Sequence, residues 1–302
     1  MQVTRRTLLD TGLVRAGHVR ARPSPGLQGE IERQSDNVLV LPLAGAFALH
    51  EGPRRHAIAT PRHAVFVAAD RPYAMSLMAE AGDECLTLRF SAAALARLAP
   101  EAMVRDGFDR AAFAACAPLT AELVLARSLL WRRLARADCD PLEVEEAAAR
   151  LLAGALQCAA ASDRARGRPV RGARSARRVS QVARVLDAVA AQPDRPWTLA
   201  ALADLACVSP GHLAHVFRDE LQTSLHRFVL NARLAKALDA VLDTDADLSS
   251  IAHETSFASH SHFTARFRAA FGVTPVELRR LRSRRVAGEL RTIVTARRLA
   301  RP

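Results

Sequence analysis

Two stretches of the chain align side chains that can donate hydrogen bonds to a polyanion. In PGHLAHVFRDEL (210–221), Leu213, Val216, Phe217 and Leu221 recur at helical spacing. They claim one face of a helix and leave Gly211, His212, His215 and Arg218 on the other. In SHSHFTARFRAAF (259–271), Phe263, Phe267 and Phe271 mark the buried face, so Ser259, His260, Ser261, Thr264 and Arg268 point outward. Imidazoles and hydroxyls near a helix start can pair with base edges or phosphate, while an arginine a turn later suits phosphate. Gly211 lets a partner's backbone approach closely. The same residues also fit an ordinary solvated helix face, with Ser259 acting only as a cap.

These stretches sit in a repeat. LAALADLACVSPGHLAHVFRDEL (199–221) lies over LSSIAHETSFASHSHFTARFRAAF (248–271). Leu199 with Leu248, Leu202 with Ile251, Ala203 with Ala252 and Val208 with Phe257 are 49 apart. Leu213 with Phe263, Phe217 with Phe267 and Leu221 with Phe271 are 50 apart, so the second copy has one more residue in its turn. An apolar pattern that survives such a shift marks a duplicated unit. Each copy predicts a helix, a short turn and a second helix. Thr198 and Ser209 are candidate caps in the first copy, with Pro210 at a first helical position; Asp247 and Ser259 are candidates in the second. Small Ala203 and Ala252 fall where the paired helices would cross. This is the pattern of a helix-turn-helix.

Between the copies, LHRFVLNARLAKALDAVLDT (225–244) carries Phe228, Leu234, Leu238 and Leu242 at helical spacing. A rod of about 27 Å follows from ~1.5 Å rise per residue, near the ~34 Å of one DNA turn. The two second helices are therefore expected to enter successive major grooves of one duplex.

The charge is unevenly spread. The 302 residues carry 43 Lys+Arg against 31 Asp+Glu, a net charge of +12. Lys236 is the only lysine, a skew that looks like coding bias, so the total is less informative than its placement. Residues 1–161 hold 19 basic and 18 acidic residues, residues 162–178 hold seven arginines and one aspartate, and residues 179–302 hold 17 basic and 12 acidic. SDRARGRPVRGARSARR (162–178) cannot build a core and reads as a flexible basic linker. A neutral first module suits a small ligand or partner, and a basic second module suits a polyanion.

The neutral half reads as strands followed by helices. NVLVLPLAGAFALH, HAIAT, AVFVAA, YAMSLMA and ECLTLRF are short apolar or alternating runs separated by turn-forming residues, as in a small antiparallel barrel or sandwich. SAAALARLA then predicts a short helix. LTAELVLARSLLWRRLARA and PLEVEEAAARLLAGALQCAAA predict two longer ones, broken at residues 138–141, where Asp140 precedes Pro141. The hairpin can pack on its own barrel or offer a dimer seam. Phe66, Tyr73 and Met75 are candidates for an effector pocket, or plain core.

Several classes are disfavoured. The longest nearly continuous apolar run, Val38 to Leu49, falls short of the ~20 residues of a spanning helix. The N-terminus lacks a signal-peptide pattern, and Cys85, Cys116, Cys139, Cys158 and Cys207 are scattered, which fits free thiols in a reducing cytosol. His50, His56 and His63 with Glu51 lack the HxH spacing of a metal-holding barrel. The expectation is a cytoplasmic protein with no catalytic residues, no metal, no cofactor and no membrane association.

Taken together, residues 179–285 resemble the AraC/XylS family of transcription regulators. LADLACVSPGHLAHVFRDEL resembles the first helix-turn-helix. NARLAKALDAVL resembles the connecting helix, with Arg233 and Ala237 on its RxxxA positions. SSIAHETSFASHSHFTARFRAAFGVTP resembles the signature, including Ile251, Ala252, Phe257, Ser261, Phe263, Phe267, Phe271, Gly272, Thr274 and Pro275. The chain departs from the pattern at Ser256 and Gln222, where glycine is usual, at His262 (an aromatic) and at Ala265 (often arginine). LPLAGAF, RHAIATPRHAVFVAADRPYAMS and GDECLTLRFS resemble the cupin-like ligand-binding domain of such regulators.

The resemblance implies an α+β fold of two domains. Residues 1–161 would form a cupin-like effector-binding and dimerisation barrel with a helical hairpin, and 162–178 the linker. Residues 179–285 would form an all-α DNA-binding domain with two helix-turn-helix units, and 286–302 a tail. It implies a sequence-specific regulator of double-stranded DNA, more often an activator, responsive to an unknown small-molecule effector. A homodimer and recruitment of RNA polymerase are further implications. The alternative is a cupin-type metal enzyme or sensor whose helical half binds a protein.

Overall fold

The computed structural model describes residues 1–23, 31–50, 56–78, 82–98, 116–137, 139–166, 176–221 and 223–283. Their contacts divide into two compact units, residues 1–188 with 199–223, and residues 189–198 with 224–302.

The first unit opens with ten strands and a short helix. They are β1 Gln2–Asp10, β2 Arg15–Arg22, β3 Ile31–Glu32, β4 Asn37–Ala44, β5 Phe47–His50, β6 His56–Ala59, β7 His63–Val67, β8 Tyr73–Leu77, β9 Asp83–Phe90, α1 Ala92–Leu98 and β10 Cys116–Pro118. One sheet runs β1-β2-β9-β4-β7-β10 and the other β3-β8-β5-β6, with antiparallel neighbours throughout. The register pairs Leu39 with Leu88 and Leu41 with Leu86, all fully buried. Alternation then sends Val38 to the opposite face, where it joins Phe47, Leu49, Val65, Val67 and Cys85 in a second cluster. This is the β-rich, cupin-like N-terminal domain that the run of short strands predicts.

Four strands were hidden in the sequence pattern: β1, β2 and the short β3 and β10. β1 and β2 form a hairpin across Gly12, whose φ is 80°. Most residues of β1 are exposed or half-buried, and arginines interrupt its alternation, so no apolar periodicity betrays it. Glycine is required at Gly45 and Gly82. Both have positive φ, and a Cβ on Gly45 would lie 2.2 Å from the Gly82 carbonyl oxygen. This close approach fixes the chain just before Asp83.

Two helices follow, α2 Ala121–Ala135 and α3 Pro141–Arg166. Thr120 caps α2 by accepting from the Leu123 amide, and Asp140 accepts from the Leu142 amide at 2.8 Å, as the Asp-Pro break predicts. Arg127 of α2 is buried and donates to the carbonyl oxygens of Pro42 and Pro61, tying the helix to the barrel. Helix α3 runs to Arg166 and α4 begins at Ala176, so both ends of the arginine-rich segment are helical. Alanine and arginine are strong helix formers, which outweighs the linker-like composition. Residues 167–175 and the tail 286–302 lie outside the described residues.

Helix α4 (Ala176–Ala191) buries Val182, Val185, Leu186 and Val189 along one stripe. Helices α5 (Leu199–Leu205) and α6 (Pro210–Leu221) complete this unit. The second unit contains α7 (Leu225–Asp243), α8 (Leu248–Glu254), α9 (His260–Phe271) and α10 (Pro275–Ser283). Ser224 caps α7 at the Arg227 amide, and Val229, Leu234, Ala237, Leu238, Val241 and Leu242 form its buried stripe. Phe257, Phe263, Phe267 and Phe271 meet in sequence through tilted and edge-to-face contacts with ring centroids 4.6–5.5 Å apart. Among the described residues, no single helix is long and apolar enough to cross a membrane.

Candidate nucleic-acid interface

Each unit contributes one helix-turn-helix, and the two are built alike. Helices α5 and α8 start and end 49 residues apart, and α6 and α9 start and end 50 apart, as the repeat predicts. The first helix of each ends in the same bond pattern. In the first copy Val208 donates to the Ala203 carbonyl and Cys207 to that of Asp204; in the second Phe257 donates to Ala252 and Ser256 to His253. This is a Schellman cap, which needs a left-handed residue. Cys207 and Ser256 supply it with φ of 55° and 58°. Ala203 and Ala252 are both buried.

The caps of the second helices also match. Ser209 accepts from the His212 amide at 3.3 Å, and Ser259 from the His262 amide at 3.1 Å. Ser259 therefore uses its acceptor within the helix and keeps its hydroxyl hydrogen as a donor. Asp247 caps α8 through the amides of Ser249 and Ser250, which hold its carboxyl below the usual carboxylate range.

The expected outward residues are on the surface. On α6, Leu213, Val216 and Phe217 have no exposed area, while Gly211, His212, His215 and Arg218 are exposed. A Cβ on Gly211 would meet nothing within 4 Å. On α9, Ser259, His260, Ser261 and Arg268 are exposed and Thr264 is half-buried. His260, Ser261, Thr264, Ala265, Arg268 and Thr274 line one shallow groove; the Thr264 hydroxyl oxygen is itself buried and has no hydrogen-bond partner among the described residues. His215 differs from the rest. Its Nε2 lies 3.2 Å from Asp219, which also receives Arg178 at 2.8 Å. The faces thus offer imidazole, hydroxyl and guanidinium donors, the set that suits phosphate and base edges.

Of the departures from the resembled pattern, Gln222 lies outside the described residues, and the others have the following settings. Ser256 adopts the glycine-like backbone and donates from Oγ to the Asp194 carbonyl oxygen. His262 packs edge-on against Phe257 with centroids 5.7 Å apart, filling an aromatic's place. Ala265 lines the groove without a charged group.

Other contributions are harder to read from the sequence. Arg233 of α7 donates to the carbonyls of Pro193 and Arg195 at 3.0 Å each, and to Ser256 at 3.3 Å. Lys236 pairs with Asp194 at 2.8 Å, and its ammonium lowers the Asp194 carboxyl. The RxxxA spacing marks Arg233 but not its partners, which are backbone oxygens 23 to 40 residues away. Thr274 and Glu277 form a capping box at the start of α10, a signal present as Thr-Pro-Val-Glu. In the barrel, the effector candidates Tyr73 and Met75 line an interior cavity, whereas Phe66 is absent from its wall. His50 pairs with Ser76 and His63 with Thr60, and no cluster of three metal-ligating side chains occurs among the described residues.

Two family models match the chain, and the second spans helix-turn-helix copies that fall in different contact units. The model of the AraC-binding-like domain matches residues 7–162, and a helix-turn-helix domain model matches residues 202–281. The HTH-type transcriptional regulator GlxA of Rhizobium meliloti is 34% identical over 96 residues, 32% of this chain and 30% of that protein. The HTH-type transcriptional regulator AlkR of Acinetobacter baylyi is 25% identical over 99 residues, 33% of this chain and 32% of that protein. The matched region thus spans about a third of the curated relatives' length. The crystal structure of ToxT from Vibrio cholerae covers 90% of this chain and 98% of its own, at 9% identity and a TM-score of 0.33.

Proposed function

Because the chain belongs to the AraC family of transcriptional regulators, through the AraC-binding-like domain over residues 7–162, we propose that it binds double-stranded DNA sequence-specifically and regulates transcription. Helices α6 and α9 enter successive major grooves. Gly211, His212, His215, Ser259, His260, Ser261 and Thr264 face base edges and neighbouring phosphates, and Arg218 and Arg268 pair with phosphates. His215 exchanges Asp219 for the nucleic acid. The single observation that carries this reading is the duplication: two helices with matching caps present exposed donor faces. Between the copies in the chain lies the 19-residue helix α7.

In this reading the domains are residues 1–161, the linker 162–178, residues 179–285 and a tail. The barrel binds a small-molecule effector and its hairpin dimerises. Effector binding shifts the protein between arrangements with different DNA affinity. The regulator acts in the cytoplasm as an activator that recruits RNA polymerase, and it catalyses no reaction.

Selection of bound genomic fragments, followed by a salt titration of their affinity, tests the proposal. Specific fragments bind more tightly than random duplex, and Arg218→Ala or Arg268→Ala each lowers the slope of log affinity against log salt by about 0.9. His212→Ala combined with His260→Ala weakens specific binding far more than nonspecific binding. Equal losses in both would refute base readout, and no enrichment of any fragment would refute the function.

A further inference from the structure

Strand alternation sends Asp83, Cys85, Thr87 and Arg89 of β9 into one cavity between the two sheets. Its apolar wall comes from the same device on other strands, with Val38 and Val40 from β4, Phe47 and Leu49 from β5, and Val65 and Val67 from β7. The free volume is about 60 Å³. This is several times the ~10–15 Å³ that one water needs.

Most polar groups of the wall satisfy one another. Arg5 donates to Glu32 at 2.8 Å, and the Tyr73 hydroxyl donates to Glu32 at 2.9 Å. Gln34 donates to the Tyr73 oxygen at 2.8 Å and accepts from Arg89 at 2.7 Å. The two arginines of the wall are therefore committed. Asp83 is the exception. It is 3% exposed, and its Oδ2 accepts from the Cys85 thiol at 3.2 Å, but its Oδ1 has no hydrogen-bond partner among the described residues. Burial, reinforced by Glu84 and opposed by the thiol bond, pushes Asp83 up to about 6. At neutral pH it is still mostly ionised. Burial and the Asp83 charge push the Cys85 thiol well up, so the thiol stays a donor.

An unmatched carboxylate oxygen beside an apolar wall favours a ligand that brings a cationic donor and a hydrocarbon body. We infer that the effector of this barrel is a compact organic amine, its ammonium pairing with the Asp83 carboxylate and its carbon skeleton lying against Val40, Phe47 and Val67. The inference rests on the proposed effector role of the barrel. A carboxylic acid would meet Asp83 with like charge, and an alcohol would leave that charge uncompensated.

Titration calorimetry on the full-length chain tests it with butylamine, isopentylamine and cyclohexylamine, against the alcohols and carboxylic acids of the same skeletons. At least one amine binds the wild type and outcompetes its alcohol and acid. Asp83→Asn weakens that binding about ten- to hundredfold, the loss of a charge-assisted hydrogen bond. Val40→Phe fills the cavity, leaves the carboxylate in place and abolishes binding, with a thermal melt confirming that the variant is folded. Preference for an alcohol or an acid overturns the amine and leaves the effector cavity standing. Amine binding that survives Asp83→Asn also overturns it. No binding by any compound overturns the amine and removes the support for an effector cavity. DNA affinity without ligand, measured alongside, judges the DNA-binding reading separately.

Discussion

Cys207 and Ser256, 49 residues apart, occupy the same left-handed position at the end of the first helix of their respective units, with φ of 55° and 58°. Each sits between equivalent bonds, one to the carbonyl five residues back and one to that three residues back. A residue with a Cβ pays roughly 1–2 kcal/mol there relative to the right-handed region. Glycine does not.

Cys207→Gly should therefore raise stability by about 1 kcal/mol, because its thiol is exposed and accepts only the contact from the Arg184 guanidinium at 3.3 Å among the described residues. Ser256→Gly gains the same backbone relief but loses the Oγ bond to Asp194, so its net change should be close to zero. Urea denaturation midpoints of the two variants check the contrast. A larger gain at Ser256 than at Cys207 would contradict it.

Arg233 acts as a staple within the second unit. Its guanidinium holds the carbonyls of Pro193, Arg195 and Ser256, so one side chain fixes both a connecting segment and a helix-turn-helix turn. Arg233→Ala should cost about 2 kcal/mol, and Arg233→Lys should recover only part, since an ammonium cannot reproduce the planar fork. Hydrogen exchange should show faster exchange over 193–197 and at 255–257 in both variants. Protection unchanged at both places would show that the bonds do not hold the turn.

The helical half was legible because its signals are local. Apolar spacing, four-residue caps and a duplication gave the bounds of α5, α6, α8 and α9 almost to the residue. The barrel was half legible. Its central strands are apolar runs, but β1 and β2 carry their arginines on a largely exposed hairpin and show no clear period. The Asp83 cavity could not be read at all. It depends on residues from eight strands meeting across two sheets, and only the register decides that Asp83 faces inward with Cys85 rather than outward with Glu84. Arg233 was visible as a motif position, yet its partners are backbone atoms, which leave no trace in residue types.

Asp83 also makes stability depend on pH. Its carboxyl titrates near 6 in the folded chain, above the ordinary value of 3.8. The native state therefore holds the proton through a window in which the unfolded chain has already lost it. Stability should fall as pH rises from about 4 to about 6 and stay low above that, by on the order of 3 kcal/mol in total. Asp83→Asn should remove this contribution, being more stable than the wild type at pH 7 and about equal near pH 4. Denaturation curves across that range decide the sign, and a variant less stable than the wild type at pH 7 would reverse it.

Gly211 separates folding from binding. It is the second residue of α6, in the exposed first turn, and a Cβ there would meet nothing within 4 Å. The free protein thus has no steric need for glycine at this position, and alanine should stabilise the helix by up to about 1 kcal/mol. On the proposed function, α6 is a recognition helix, and a glycine in its first turn admits a surface that comes closer than a Cβ allows. Gly211→Ala should therefore melt at the same or a higher temperature while losing roughly tenfold in specific DNA affinity, about 1.4 kcal/mol. Gly211→Ser, which adds a hydroxyl that can reach phosphate, should recover part of that loss if the neighbour is the DNA backbone, and none if it is a base edge. Melting curves and fluorescence anisotropy on the same preparations separate the two effects. An alanine variant that is more stable and binds DNA as tightly as the wild type would remove α6 from close contact at this residue.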